Sequence, residues 1–294
     1  MLDFRKILFP IVFSESTDAI AFSVRRIAQR FNAAVTILNA CNLAPGYFSG
    51  PPSDAPCDSE ESPILFSRAL QERRNRQVRR LKEFACTNFS GIGHTERIEI
   101  GDPAAVIEWV AKCEKSDLII MPTRGLGRVR SFFLGSVTSK VLHDTNLPIW
   151  TIVHKPEALS ALPLGYRSIL CTVEMAPEDS MVFDVASLFV QIYGARICFL
   201  CTQPTSDEQD KEFISQFVKQ AFKRACAEKR EPVAPEVCVR ILRTSLSKGI
   251  RQTALEQGAD LTIVGRGRKA GILSRGRSQL YSIIRESPCP VLSV

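Results

Sequence analysis

The residue types best suited to chemistry lie in one segment. Pro122-Thr123-Arg124-Gly125 is followed, after nine intervening residues that include Arg128, by Gly135-Ser136. An apolar run, Leu118–Met121, precedes this loop, and a helical pattern, Ser136–His143, follows it. Glycines let a backbone approach a ligand closely and take positive φ. A helix start offers unpaired N–H groups and a partial positive charge, here beside a hydroxyl, and all three favour an anion such as phosphate. Arg124 and Arg128 bring charge-assisted hydrogen bonds to the same place. A plainer reading fits too: Gly125 and Gly127 turn the chain, and Ser136 is an ordinary helix cap. Spacing alone leaves both open.

The elements that position this loop occur twice. Residues 117–153 run through an aspartate, an apolar strand, a Gly/Arg-rich loop, a Ser-initiated helix, a proline and a closing apolar strand, and residues 260–294 do so again. Asp117 recurs as Asp260 and Pro148 as Pro290. A period that long marks a duplicated domain rather than a solenoid of 20–50-residue units.

The pattern predicts first-half strands at Lys6–Val12, Val35–Ala40, Thr95–Ile100, Leu118–Met121 and Ile149–Val153. Helices are expected near 16–31, 63–87, 103–115 and 136–143, with residues 41–62 a surface loop. The second half repeats the order, with strands near 168–173, 196–202, 236–242, 261–264 and 291–294. Its helices fall near 178–193, 208–229, 245–257 and 278–286. Strands alternating with helices mean βαβ units, hence α/β domains with doubly wound parallel sheets. Domains are expected at 1–154 and 167–294, with 155–166 as linker. In such sheets a ligand sits beyond the carboxyl ends of the strands, where strand order reverses.

Composition narrows the partners. With 294 residues, 45% hydrophobic and 23% charged, the chain reads as two soluble globular domains. No apolar run reaches the ~20 residues of a bilayer span, which argues against a membrane partner. The opening MLDFRKILFPIVF lacks a small-residue cleavage site and continues into a helix start, so it is read as a strand and not a leader. The ten cysteines are scattered, and Cys198 and Cys201, three apart on a strand, face opposite sides. Reduced thiols and a cytoplasmic location follow, with no metal site among His94, His143 and His154. The net charge of +7 raises nucleic acid as a partner, but the Arg68–Lys82 run has no interleaved aromatics to stack bases and reads as a solvated helix face.

Met121–Val137, MPTRGLGRVRSFFLGSV, resembles the nucleotide loop of the universal stress protein family, Gly-x-x-Gly, nine residues, Gly-Ser/Thr. The resemblance extends to Lys140-Val141-Leu142, Asn146-Leu147-Pro148, Ile7-Leu8-Phe9-Pro10 with Ser14-Glu15-Ser16, and Gly101-Asp102-Pro103. It covers essentially the whole chain as two tandem domains. It implies two five-stranded parallel sheets of order 3-2-1-4-5 and a stress-response protein without catalytic activity, in which any ATP hydrolysis is slow and incidental. Many members bind ATP or a related adenine nucleotide, with Mg2+ entering only as its counter-ion. The resemblance places that nucleotide at Ile11, Val12, Ala40, Met121, Pro122, Arg124, Gly125, Arg128, Gly135, Ser136, Val137 and Thr138.

The chain departs from the pattern at informative points. ATP-binding members end the first strand in an aspartate, where this chain has Val12. Pro122 replaces the first loop glycine and has no N–H to donate. The second copy is vestigial in the opposite way. Glu174 and Gly265 match, but Arg268 and Arg277 stand at the other two glycine positions, leaving Ser278. Two readings therefore follow: a nucleotide-responsive regulator using the first domain, or a scaffold for a client protein that binds no nucleotide. The halves are expected to pack as an intramolecular pseudo-dimer, with a homodimer also compatible.

Overall fold

The computed structural model describes all residues except 1–2, 15–16, 42–61, 124–133, 153–164, 178, 203–206, 229–236, 243 and 267–276. The first half comprises β1 (Lys6–Pro10), α1 (Thr17–Phe31), β2 (Ala34–Cys41), α2 (Ser62–Asn88), β3 (His94–Ile100), α3 (Pro103–Cys113), β4 (Leu118–Pro122), α4 (Ser136–Asp144) and β5 (Ile149–Ile152). The second comprises β6 (Ser168–Val173), α5 (Asp179–Tyr193), β7 (Arg196–Cys201), α6 (Glu208–Glu228), β8 (Val237–Ile241), α7 (Leu246–Glu256), β9 (Leu261–Val264), α8 (Arg277–Glu286) and β10 (Val291–Ser293). The expected strands and helices are present, with ends shifted by a residue or two.

Each half is a parallel sheet of order 3-2-1-4-5, and the two sheets are continuous: β3-β2-β1-β4-β5-β10-β9-β6-β7-β8. The junction is antiparallel, pairing Ile149 with Ser293, Trp150 with Leu292 and Thr151 with Val291. Trp150 and Leu292 are equivalent positions of the repeat, so the register centres a local twofold axis on their pair. The side chains obey the same symmetry. Thr151 Oγ1 donates to Val291 O at 3.0 Å, and its counterpart Ser293 Oγ donates to Ile149 O at 3.3 Å. Pairing removes the exposed backbone that either closing strand would present as a sheet edge.

Both faces of the sheet carry apolar cores that cross the junction. One buries α1, α2, α5 and α6 side chains, the other those of α3, α4, α7 and α8. Aromatic rings bridge the first face: Phe31 lies 5.7 Å from Phe189 and 6.2 Å from Tyr193, and Trp150 lies 5.1 Å from Tyr166 and 5.5 Å from Phe189. On the other face Tyr281 donates to Ser139 O at 2.8 Å, and Arg266 donates to Thr145 O at 3.0 Å and to Leu147 O. These last two bonds satisfy carbonyls at the end of α4 from the opposite half.

The recurring aspartate has a structural use. Asp117 accepts from Arg5 N at 2.8 Å and Lys6 N at 3.0 Å, and Asp260 accepts from Arg167 N at 2.8 Å and Ser168 N at 3.0 Å. Each carboxylate ties the start of its fourth strand to the start of its first. Cys198 and Cys201 fall in the cores on opposite faces, as alternation requires. On α2, Arg74, Arg76, Arg79 and Arg80 are exposed; Arg80 also covers the Phe13 ring at 4.2 Å. Arg74 is not on the buried face of α2, which runs through Leu81 and Ala85.

The indole Nε1 of Trp150 is buried without a partner. Such an orphan donor costs about 1–3 kcal/mol, which offsets part of the ring's packing. Trp150→Phe is therefore expected to change stability by less than about 1.5 kcal/mol, whereas Trp150→Ala costs about 3–5 kcal/mol. Urea unfolding of the two variants checks this; equal losses would mean that the indole N–H is bonded.

Candidate functional site

The order of strands reverses between β1 and β4, so their carboxyl ends frame the crevice of the first half. β1 and β4 pair only at Ile7–Leu118 and Leu8–Ile119, and then diverge. Beyond that point Ile11 is buried and bonds through its N–H to Leu38 O at 2.8 Å, while Val12 is 36% exposed. Asn39, buried next to the half-buried Ala40, donates to Ile11 O at 3.1 Å and fixes the end of β1.

Pro122 ends β4. Its missing donor does not damage the ladder, because Thr123 N, not residue 122, bonds to Ile152 O at 3.0 Å. With alternate N–H groups directed to β5, position 122 faces β1 and the crevice. The proline therefore removes a donor from the ligand side alone. Met121 is buried in the core.

The helix start differs from the expectation in one respect. Gly135, not Ser136, is the cap residue of α4; its φ is −59° and no side chain bonds to the first turn. Any residue adopts that φ, so the backbone conformation does not require a glycine here. Gly135 N bonds to Thr123 O at 2.9 Å, and Thr138 Oγ1 donates to Pro122 O at 3.1 Å. These bonds hold the bare helix start against the end of β4. Ser136 is exposed, Val137 is half-buried against the α3–α4 core, and Thr138 is buried. By contrast, α3 is capped, with Asp102 accepting from Ala105 N at 3.0 Å. Arg124, Gly125 and Arg128 lie outside the described residues, as does Arg268.

Ile11, Val12, Ser14, Thr17 and Pro122 help to line a cavity of about 10 Å3, roughly enough for one water. Two residues missed in the sequence organise this region. Thr17 accepts from Ser14 N at 3.0 Å and donates to Val12 O at 2.6 Å. Its counterpart Asp179 accepts from Glu174 N at 3.0 Å and Ala176 N at 3.0 Å. Their signal is a short polar side chain at the first turn after a strand, which reads as an ordinary cap.

In the second half Glu174 is buried at the position of Val12. Gly265 ends β9, and a side chain there would meet Val182 Cγ2 of α5 at 3.1 Å. Arg277 and Ser278 are the first two residues of α8, so the arginine occupies a helical position where the first half has its glycine cap.

The sequence pattern of the universal stress protein family matches residues 3–153 and again 165–294. The chain belongs to that family. A universal stress protein of Thermus aquaticus is 31% identical over 148 residues, covering 50% of this chain and 96% of its own length. Universal stress protein MJ0531 of Methanocaldococcus jannaschii is 29% identical over 154 residues, covering 52% and 84%. Each relative thus aligns with about half of this tandem chain. A crystal structure of a universal stress protein from Archaeoglobus fulgidus spans the whole: 20% identity, 100% of this chain and 97% of the other, TM-score 0.66. That likeness extends the fold across both halves.

The loop staples make a stability test. Asp179→Ala leaves two N–H groups of a buried turn unpaired and is expected to cost about 2–4 kcal/mol. Asp179→Asn keeps an acceptor and should cost less than half as much. Thermal unfolding of both variants measures the difference, and equal losses would show that the charge, not the acceptor, matters.

Proposed function

We propose that this universal stress protein works without catalysis, as an adenine-nucleotide-responsive regulator whose ligand site is the crevice of the first half. The observation that carries this reading is the α4 start. It opens on Gly135 with no side-chain cap, beside the divergence of β1 and β4. First-turn N–H groups, the helix dipole and the exposed Ser136 hydroxyl converge there on an anion. Mg2+ would enter with the nucleotide; among the described residues no group of three His, Cys, Asp or Glu is placed to hold a metal. The nine described cysteines are free. No described helix is long and apolar enough to cross a membrane.

The phosphate end fits this ligand better than the nucleoside end does. The Val12 side chain accepts no hydrogen bond from a ribose or base and Pro122 donates none, so native affinity is weak. The same two departures support the second reading, a scaffold that engages a client protein and no nucleotide. In either case the halves act as an intramolecular pair, standing where two subunits would.

Val12→Asp separates the readings. Val12 is 36% exposed and adjoins the start of α1, so an aspartate there keeps contact with water and faces a favourable helix end. Its melting temperature should hold within a few degrees. Native ATP affinity is expected in the micromolar range or weaker. The added acceptor contributes about 1.5–3 kcal/mol, roughly ten- to a hundredfold. Gly135→Leu should abolish binding, and Arg277→Gly should leave it intact or create a second site. Calorimetry with ATP, alongside chromatography of any nucleotide released by denaturing the purified protein, tests this. No gain from Val12→Asp and no loss from Gly135→Leu would establish the scaffold reading.

A further inference from the structure

The fold sets two cysteines against each other that are far apart in sequence. Cys198 of β7 and Cys238 of β8 are direct partners across neighbouring parallel strands. Such strands lie about 4.8 Å apart, inside the ~4.4–6.8 Å Cα separation that a disulfide spans. Both side chains are on one face of the sheet, against the core beneath α7 and α8. Cys201, three residues from Cys198, lies in the opposite core.

The first half shows where side chains at these two positions point. Thr36 of β2 and Thr95 of β3 hold the equivalent places. Their hydroxyl oxygens meet at 3.2 Å. In the second half both hydroxyls are exchanged for thiols, so a pair that can only hydrogen-bond becomes one that can be oxidised.

The two cysteines differ in access. Cys198 is 4% exposed. Burial first, and the neighbouring Cys238 second, push its thiol upward, so it keeps its proton. Cys238 is half-buried on the outermost strand. Arg240, two residues on along the same face, bonds to it and also pairs with Glu256. The thiolate is the attacking form of cysteine. A reachable cysteine with a second one beside it is the arrangement of a reversible oxidation site. Access therefore makes Cys238 the attacking member and Cys198 the resolving one.

We infer that Cys198 and Cys238 form a modification site, which a hydroperoxide oxidises to a cross-strand disulfide. The Cys238 thiolate attacks one peroxide oxygen and the O–O bond breaks. Cys238 becomes a sulfenic acid, and the departing hydroxide takes up the proton that the thiol had released. The Cys198 sulfur then attacks the sulfenic sulfur. The S–S bond forms, and the hydroxyl leaves with the Cys198 proton as water. Two thiols lose two electrons, and one hydrogen peroxide becomes two waters. The product staples β8, otherwise held from one side only, to β7. This site is independent of the nucleotide reading, since it lies at the outer edge of the other half.

Hydrogen peroxide treatment of the folded full chain, then alkylation, non-reducing trypsin digestion and mass spectrometry, tests the site. The expected product joins residues 197–211 to residues 231–240 with the loss of two hydrogens, and dithiothreitol reverses it. Cys198→Ser should lower its yield at least tenfold and leave Cys238 as a sulfenic acid that dimedone labels. Cys238→Ser should abolish it. Cys201→Ser should leave it intact, which separates Cys198 from the other cysteine of the same peptide. Thermal unfolding of each reduced variant verifies folding, and the exposed Cys86 and Cys113 report that the oxidant has acted. Oxidation of those two without the joined peptides overturns the inference. So does a joined product that persists in folded Cys198→Ser or is lost in folded Cys201→Ser.

Discussion

The hydrogen-bonded pairing of β5 with β10 is the constraint on which the remaining architecture depends. A closing strand of three or four residues has little hold of its own, and as an edge it would leave a row of N–H and C=O groups unpaired. Joining the two solves both problems and fixes the symmetry, because equivalent residues, Trp150 and Leu292, must meet. Since the pairing is antiparallel, the parallel strands of one half run opposite to those of the other. The carboxyl ends of the two halves, and with them their crevices, therefore open on opposite sides of the ten-stranded sheet. Helices on each face meet across the junction for the same reason, giving the Phe31–Tyr193 and Tyr281–Ser139 contacts.

Within that frame the copies have kept the same skeleton and changed its fittings. The turn after the first strand of each half is tied by the first residue of the following helix, Thr17 in one and Asp179 in the other. A threonine hydroxyl both donates and accepts, and so binds Val12 O as well as Ser14 N. A carboxylate only accepts, and gathers N–H groups instead. The neighbouring side chain changes with it, from exposed Val12 to buried Glu174. A carboxylate thus stands at this position in the half whose last helix begins with Arg277, and is missing from the half whose α4 begins on an uncapped Gly135.

Most of the fold was legible because its signals are periodic and doubled. Strand alternation, βαβ order and the 117–153 repeat lead to two 3-2-1-4-5 sheets, and the two apolar closing strands signal a need for partners. Continuity into one sheet is a matter of register, which depends on which residues of β5 and β10 coincide and has no local signature. The candidate site was legible in residue identities and less so in roles. Gly135 proved to be the cap in place of Ser136, and its ordinary φ shows that a glycine in a motif need not be a conformational requirement. Thr17 and Asp179 carry only the signal of an ordinary cap, and Asn39 acts through a backbone atom distant in sequence, a contact that leaves no pattern in residue types.

Pro122 shows how a ligand-side change escapes a structural cost. In the interior of a sheet a proline removes a ladder bond, but here the bond to Ile152 belongs to Thr123, and the pairing with β1 ends at Ile119. The position is consequently free, as far as folding is concerned, to gain or lose a donor facing the crevice. The same freedom holds at Val12, where the side chain is partly in solvent and the backbone carbonyl is already satisfied by Thr17. Both departures from the ATP-binding pattern therefore sit where the scaffold does not select the residue. Asp117 and Asp260, which the scaffold does select, agree between halves. Elsewhere the halves exchange core residues as well, Phe9 for Cys171 and Trp150 for Leu292, and there the constraint is burial and packing, not the identity of the side chain.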